Sequence, residues 1–309
     1  MINDKTLNAR ELQFIEEYPD VARKQRLFEL FNMPGGAQNL ADPHTIVKFN
    51  GATCEALNGP FGTKLNGIDF TAPQIDHTAE KINRTIKAAE PPVPTPNTEE
   101  QKEQSAGVII IEPDNRIWLF SPRNFFSGYC FTLPKGQTLD KGETVRKGEQ
   151  ETAIKEAHEE TGLNIKIIAH QGDYDRGNGR FCRVYIGQRI GGSPFAWKGT
   201  TGQPAGMLPD GRPEREETAA VWLVPGDKVM DLITLNIPKS RSGELKDNVD
   251  VPLFRDTLAL MDIARHAGMD ITRQAGPTLE DGFSALTAIA IRATGYASLR
   301  GPMIGNSLT

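Results

Sequence analysis

The hydrophobic pattern of the central chain predicts strands on both sides of one helix. Several apolar runs have strand character: 106–112, 116–121, 165–170, 181–190 and 219–224. The turn-forming triplet at 113–115 joins the first two runs into a predicted hairpin. A helix is predicted to begin near Glu149 and to end at Gly162, a residue suited to a left-handed C-cap. Strands that enclose a helix predict an α/β fold.

The flanking segments are predicted to be mainly helical. The predicted helices and linker are, in order, a helix ending at 27–31, a helix over 75–86, a stiff Pro-rich linker at 91–96, and helices over 253–267 and 279–299. The predicted division is therefore an N-terminal extension or small domain over 1–97, an α/β domain over 98–267 and a C-terminal helical tail over 268–309.

Composition narrows the class of protein. The chain has 309 residues, a formal net charge of −5 and three cysteines without metal-ligand spacing. This charge argues against an extended nucleic-acid surface, although capped RNA as a substrate is left open. No apolar run reaches the length of a membrane span, and the N-terminal residues lack a signal-peptide core. A cytoplasmic protein without membrane contact is expected, and a homodimer is left open.

Three glutamates are the main chemical signal. Glu156, Glu159 and Glu160 lie at i, i+3 and i+4 of the predicted helix, so their carboxylates are expected on one face. Such glutamates are most often a solvated helix face. Crowded carboxylates repel one another, however, and a divalent cation is the usual reason that such crowding is tolerated. Magnesium, which prefers oxygen ligands and phosphate, fits this set better than zinc.

At these residues the chain resembles the Nudix hydrolase family, whose signature is G-x5-E-x7-R-E-U-x-E-E-x-G-U, where U is aliphatic. Residues 155–163 match the second half, and Gly136 and Glu143 match the first. The match departs from the signature in two ways. The first departure is in spacing: six residues rather than five separate Gly136 from Glu143, and eleven rather than seven separate Glu143 from Lys155. The second is that Lys155 stands where the signature has arginine. The insertion is placed at 144–148, because a helix cannot absorb four residues without turning its face.

The resemblance implies an α/β/α sandwich with a mixed sheet, to which the N-terminal extension and the C-terminal helices are added. It also implies that Glu156, Glu159 and Glu160 bind Mg²⁺, which Mn²⁺ could replace, together with the backbone carbonyl of Gly136. Glu143 and Lys155 would orient these carboxylates. Lysine lacks the planar fork of arginine, so this orientation is expected to be weaker. Glu149, two turns before Glu156, is a spare candidate ligand.

Further candidates lie outside the helix. By resemblance, Glu216, or Glu217 in its place, would supply an additional metal ligand or a general base. Arg123 and Lys135 are candidates for binding substrate phosphates. The aromatic residues Phe125, Phe126 and Tyr129 could stack on a base or could pack as ordinary core residues.

The expected function is that of a magnesium-dependent pyrophosphohydrolase. Its substrate would be a nucleoside diphosphate linked to another moiety, such as a dinucleoside polyphosphate or ADP-ribose. The alternative is a nucleotide-sensing regulatory protein, in which Lys155 and the longer loop weaken or abolish catalysis. An interaction scaffold with neither property is a third possibility.

Overall fold

The computed structural model describes residues 9–18, 21–33, 40–49, 64–70, 104–122, 129–138, 148–177, 180–194, 218–233 and 235–236. The helices predicted at 75–86, 253–267 and 279–299, the linker at 91–96, and the boundaries at 97 and 267 lie outside these residues.

The described part of the chain contains helices and strands in mixed order. The helices are α1 (Ala9–Glu16), α2 (Val21–Phe31), α3 (Glu149–Thr161) and α4 (Val229–Ile233), the last preceded by a short 3₁₀ turn at Gly226–Lys228. The strands are β1 (Val47–Phe49), β2 (Lys64–Leu65), β3 (Ile68–Asp69), β4 (Gln104–Ile111), β5 (Arg116–Pro122), β6 (Lys135–Gln137), β7 (Leu163–Gly177), β8 (Arg180–Gly192) and β9 (Thr218–Pro225). None of the described helices is long and apolar enough to cross a bilayer.

The main sheet has the order β1-β9-β5-β4-β8-β7, and β6 pairs with the first half of β4. It is mixed, because β4 runs parallel to β8 and antiparallel to β5 and β6. Every side chain of β4 is buried. A continuous apolar strand of this kind is expected where both faces of the sheet are covered.

Helices cover both faces of this sheet. One face packs on α1, α2 and α4. The other packs on α3 and on the separate β2–β3 hairpin. The predicted mixed sheet between helical layers is therefore confirmed, as are the predicted strands. Their bounds differ in places, since β4 ends at Ile111 and β7 continues to Gly177 beyond the predicted 165–170.

The described N-terminal residues contribute to this same core. The Phe31 ring at the end of α2 meets the Trp222 ring edge-on, with 5.8 Å between ring centroids. The ammonium of Lys48 lies 5.5 Å from the centre of each of these rings and donates a hydrogen bond to the carbonyl of Phe31. Val47 pairs with Leu223, which makes β1 an edge strand of the main sheet.

A buried ion pair fastens the β2–β3 hairpin to the sheet. Arg189 and Glu112 both have fully buried side chains, and Nε of Arg189 lies 2.6 Å from Oε1 of Glu112. The same carboxylate accepts hydrogen bonds from Trp118 Nε1 at 2.8 Å and from Asn66 Nδ2 at 3.0 Å. Arg189 also donates to the carbonyl of Leu65 at 2.7 Å. Since the charges and most polar atoms are matched, the pair ties β8 and the turn after β4 to the hairpin.

Breaking this pair should be costly, because the remaining charge stays buried without its partner. Arg189→Met is expected to lower the free energy of unfolding by about 3–5 kcal/mol. The matched control is Lys64→Met, which removes the ammonium from the exposed Lys64–Asp69 pair of the same hairpin. That change should cost no more than about 1 kcal/mol. Urea unfolding measures both values, and equal effects would contradict the assignment.

Candidate functional site

The site is built on α3, whose ends match their predicted positions. Gly148, the N-cap, is extended, and Glu149 and Glu151 place negative charge in the first turn, where the helix dipole favours it. The helix ends at Gly162, which adopts the left-handed conformation with φ of 73° and donates its N–H to the carbonyl of His158 at 2.8 Å. Ala153 and Ala157 are fully buried, so the helix lies close to the sheet.

Glu156 projects from α3 against β6. It is only 7% exposed. A β-carbon added to Gly136 would lie 2.1 Å from its Oε1 and 2.2 Å from its carboxyl carbon. Such distances are impossible for real atoms, so glycine is required for the carboxylate to occupy this position. The absence of a side chain at Gly136 therefore provides the space that the carboxylate of Glu156 occupies.

Glu160, one turn later, is also 7% exposed and reaches the same strand. Its Oε2 accepts a hydrogen bond from the backbone N–H of Lys135 at 2.8 Å. The backbone carbonyl of Glu160 accepts another from the hydroxyl of Thr218 at 2.9 Å. Two strands therefore fix this residue, and the carboxylates of Glu156 and Glu160 meet β6 at consecutive residues.

Glu159 is placed differently. Its side chain is 48% exposed and pairs with Lys155, whose Nζ lies 3.1 Å from Oε2. The same ammonium lies 3.7 Å from Oε1 of Glu156. The structure thus brings Glu156 and Glu160 together at β6, while Lys155 holds Glu159 at the exposed edge of the helix.

Lys135 has a basic side chain at this end of β6. Its Nζ donates to the hydroxyl of Thr132 at 2.7 Å and lies 5.1 Å from the centre of the Tyr129 ring. Tyr129 is buried and packs beneath this ammonium. Tyr129 therefore packs as a core residue, which is one of the two alternatives that the sequence left for it.

The remaining predicted site residues lie outside the described residues. These are Arg123, Phe125, Phe126, Glu143, Glu216 and Glu217, together with inserted residues 144–147. Their roles stay predictions.

Sequence reasoning missed a buried arginine on the α3 face of the sheet. In the strand register, Gly136 lies opposite Ala106, and Ala106 lies opposite Arg183. Nε and Nη2 of Arg183 donate to the two carboxylate oxygens of Asp173 on β7, at 2.7 and 2.8 Å. His170 Nε2 lies 3.3 Å from the same carboxylate. Burial raises the pKa of Asp173, but the hydrogen bonds and charges of Arg183 and His170 outweigh this and lower it overall.

The donor set at β6 fits a hard divalent cation. Magnesium is usually bound by one or two carboxylates and keeps its other positions for water and substrate phosphate. Glu156 and Glu160 supply two carboxylates, and the glycine at 136 gives the first of them its room. In the described part of the chain, no three or more His, Cys, Asp or Glu side chains are grouped to hold a metal ion. Glu159 instead pairs with Lys155 at the exposed edge of the helix.

Comparison with solved structures places Nudix hydrolases among the similar folds. A NUDIX hydrolase from Nitrosomonas europaea is 18% identical, with 57% of this chain and 99% of that chain covered and a TM-score of 0.30. An ADP-ribose pyrophosphatase from Streptococcus suis is 15% identical, with 52% and 90% covered and a TM-score of 0.30. A C. elegans Ap4A hydrolase is 16% identical, with 41% and 84% covered and a TM-score of 0.26.

No protein-family model and no curated protein matched the chain. Because the structural TM-scores are low, these likenesses carry no weight for activity.

Replacing Gly136 tests whether the glycine positions Glu156. In Gly136→Ala, the carboxylate must move, since the new β-carbon would overlap it. Glu156 ends a flexible side chain, so the expected loss of stability is at most about 1 kcal/mol. Affinity for Mn²⁺, measured by calorimetry, should fall by about tenfold or more. Gly148→Ala is the matched control, since a β-carbon there has nothing within 4 Å. Equal affinities for the two variants would refute the positioning role.

The lowered pKa of Asp173 predicts how stability depends on pH. A carboxylate with a depressed pKa stabilises the fold above its unfolded pKa of about 3.9, and this contribution is lost as pH falls through the folded value. Asp173→Asn should therefore be clearly less stable than wild type at pH 7, and the difference should shrink below about pH 4. Thermal unfolding between pH 3 and pH 7 measures it. Asp69→Asn, on an exposed pair, should show little difference at any pH.

Proposed function

We propose that the protein is a magnesium-dependent hydrolase that cleaves a phosphoanhydride bond. The substrate class is a nucleoside diphosphate linked to another moiety, such as a dinucleoside polyphosphate or ADP-ribose. The supporting observation is the pair of buried carboxylates, Glu156 and Glu160, that meet β6 at Gly136 and Lys135. Because both side chains are turned toward β6 and are only 7% exposed, they are not part of a solvated helix face, and carboxylate oxygens are ligands that magnesium prefers.

In this proposal Glu156 and Glu160 hold the metal, with the backbone carbonyl of Gly136 and with Glu159 as a further ligand. When bound, Mg²⁺ neutralises phosphate charge and lowers the pKa of a bound water. Mn²⁺ would substitute for it.

The chain's own contribution is to fix ligand positions before substrate arrives. The backbone N–H of Lys135 orients Glu160, and the space above Gly136 orients Glu156. Carboxylates fixed in this way lose little conformational freedom on binding.

The remaining roles follow from the resemblance. Arg123 and the side chain of Lys135 would bind substrate phosphates, and Glu143 would orient the metal ligands. The resemblance gives Lys155 the same orienting role, but its contacts with Glu156 and Glu159 are also those of a competitor for the metal. Glu216 would accept the proton of the attacking water as one P–O bond of the anhydride breaks. The substrate partner is then a nucleotide-type small molecule in the cytoplasm.

A second candidate function is favoured by the Lys155–Glu159 pair. With one of three expected ligands held at the helix edge by an ammonium, the site could bind a nucleotide and turn it over slowly or not at all. The chain would then act as a nucleotide sensor. Stoichiometric nucleotide binding without product release would identify this function.

Neutralising Glu160 tests the hydrolase. In Glu160→Gln the amide oxygen can still accept the N–H of Lys135, so the fold should be retained while a charged ligand is lost. We expect hydrolysis with Mg²⁺ to fall by about 10²-fold or more, in keeping with the removal of a group that stabilises transition-state charge. Product masses from a mixture of ADP-ribose, diadenosine polyphosphates, NAD and capped RNA would identify the bond cut.

The matched control is Glu151→Gln, which removes a carboxylate from the first turn of the same helix. It should keep turnover near the wild-type value. Undiminished activity in Glu160→Gln would refute the assignment.

A further inference from the structure

The ammonium of Lys155 lies between two of the carboxylates proposed to bind metal. It is 3.1 Å from Oε2 of Glu159, which is within hydrogen-bonding distance. It is 3.7 Å from Oε1 of Glu156, which is close enough for charge attraction but too long for a hydrogen bond. One cation of the protein therefore already occupies the space between these two side chains.

This ion pair is of a kind that exchanges readily. Lys155 precedes Glu159 by four residues, which is the less favourable order for a helical ion pair, and Glu159 is half exposed. Such pairs contribute a few tenths of a kcal/mol to helix stability. A lysine also provides a single charge on a flexible stem rather than a planar fork that fixes two oxygens at once.

We propose that Lys155 is an internal cation that competes with the divalent metal for Glu156 and Glu159. This inference rests on the metal site of the proposed function. In the structure the ammonium occupies the position between the carboxylates. On metal binding it withdraws, Glu159 turns from it, and the third carboxylate joins Glu156 and Glu160. Lys155 thus lowers metal affinity through its contacts with Glu156 and Glu159.

The opposite role is physically distinct. If Lys155 held the carboxylates in the geometry the metal needs, removing it would weaken metal binding. If it competes, removing it strengthens binding, because a positive charge and a rival partner disappear together. The direction of change therefore separates the two roles.

The test is Mn²⁺ affinity, measured by calorimetry and by the paramagnetic resonance of free Mn²⁺, without substrate. In Lys155→Gln the dissociation constant is expected to fall by about tenfold, because a neighbouring positive charge that repels the dication is removed. Lys155→Arg keeps the charge and should not tighten binding. Lys166→Gln, on an exposed β7 lysine, matches the change in net charge and should leave affinity unchanged.

A second measurement follows the third carboxylate. Glu159→Gln should weaken Mn²⁺ binding more in the Lys155→Gln background than in wild type, because only there is Glu159 already released. Thermal unfolding without metal confirms that each variant is folded.

The outcomes separate this inference from the proposed site. If Lys155→Gln binds Mn²⁺ more weakly than wild type or equally well, Lys155 does not compete with the metal. If Glu156→Gln also abolishes Mn²⁺ binding, the proposed metal site is nevertheless correct. No Mn²⁺ binding at millimolar concentration in either wild type or Lys155→Gln overturns both. If Mn²⁺ binds to Lys155→Gln but not to wild type, Lys155 excludes the metal altogether, which supports the competition.

Discussion

The close approach of α3 to β6 is the constraint on which the candidate site depends. At Gly136 the strand has no side chain, and the carboxylate of Glu156 occupies the space that a β-carbon would fill. One residue earlier, the N–H of Lys135 binds Glu160. Because the strand leaves room at Gly136 and offers a backbone N–H at Lys135, the carboxylates of Glu156 and Glu160 can both be buried against β6. Ala153 and Ala157 allow the same approach over the sheet.

Four acidic side chains on this side of the sheet differ in how their carboxylates are held. Glu112 and Asp173 are each paired with an arginine through two guanidinium nitrogens, which fixes both charge and orientation. Glu160 is held by a backbone N–H, which fixes orientation without adding a full charge. Glu159 is held by a lysine at the helix edge. The two arginine pairs suit permanent structure, whereas the pair of Glu159 with Lys155 is exposed and weaker.

The parts of the fold that sequence predicted are those set by local periodicity. The limits of α3 follow from its spacing and from Gly162, and β4, β5, β8 and β9 follow from their apolar runs. Strands β1, β2, β3 and β6 were not predicted, because two or three residues show no alternation. Their positions are set by partners distant in sequence, as when Val47 pairs with Leu223.

The same limit applies inside the site. Helical spacing placed Glu156, Glu159 and Glu160 on one face, but a face more than 100° wide has a buried edge and an exposed edge. The position of β6 decides which of these glutamates is buried and which is exposed. This strand is only three residues long, so the sequence shows no alternation that would predict it. Arg183 and Asp173 could have been noted as polar residues within apolar strands, yet their proximity to Gly136 depends on the register of four strands. The site thus combines two carboxylates fixed by tertiary contacts with one controlled by its neighbour in the helix. A metal ion would therefore meet Glu156 and Glu160 already in position, whereas Glu159 would first have to leave Lys155. The strength of the Lys155–Glu159 ion pair would then determine how readily the third carboxylate binds.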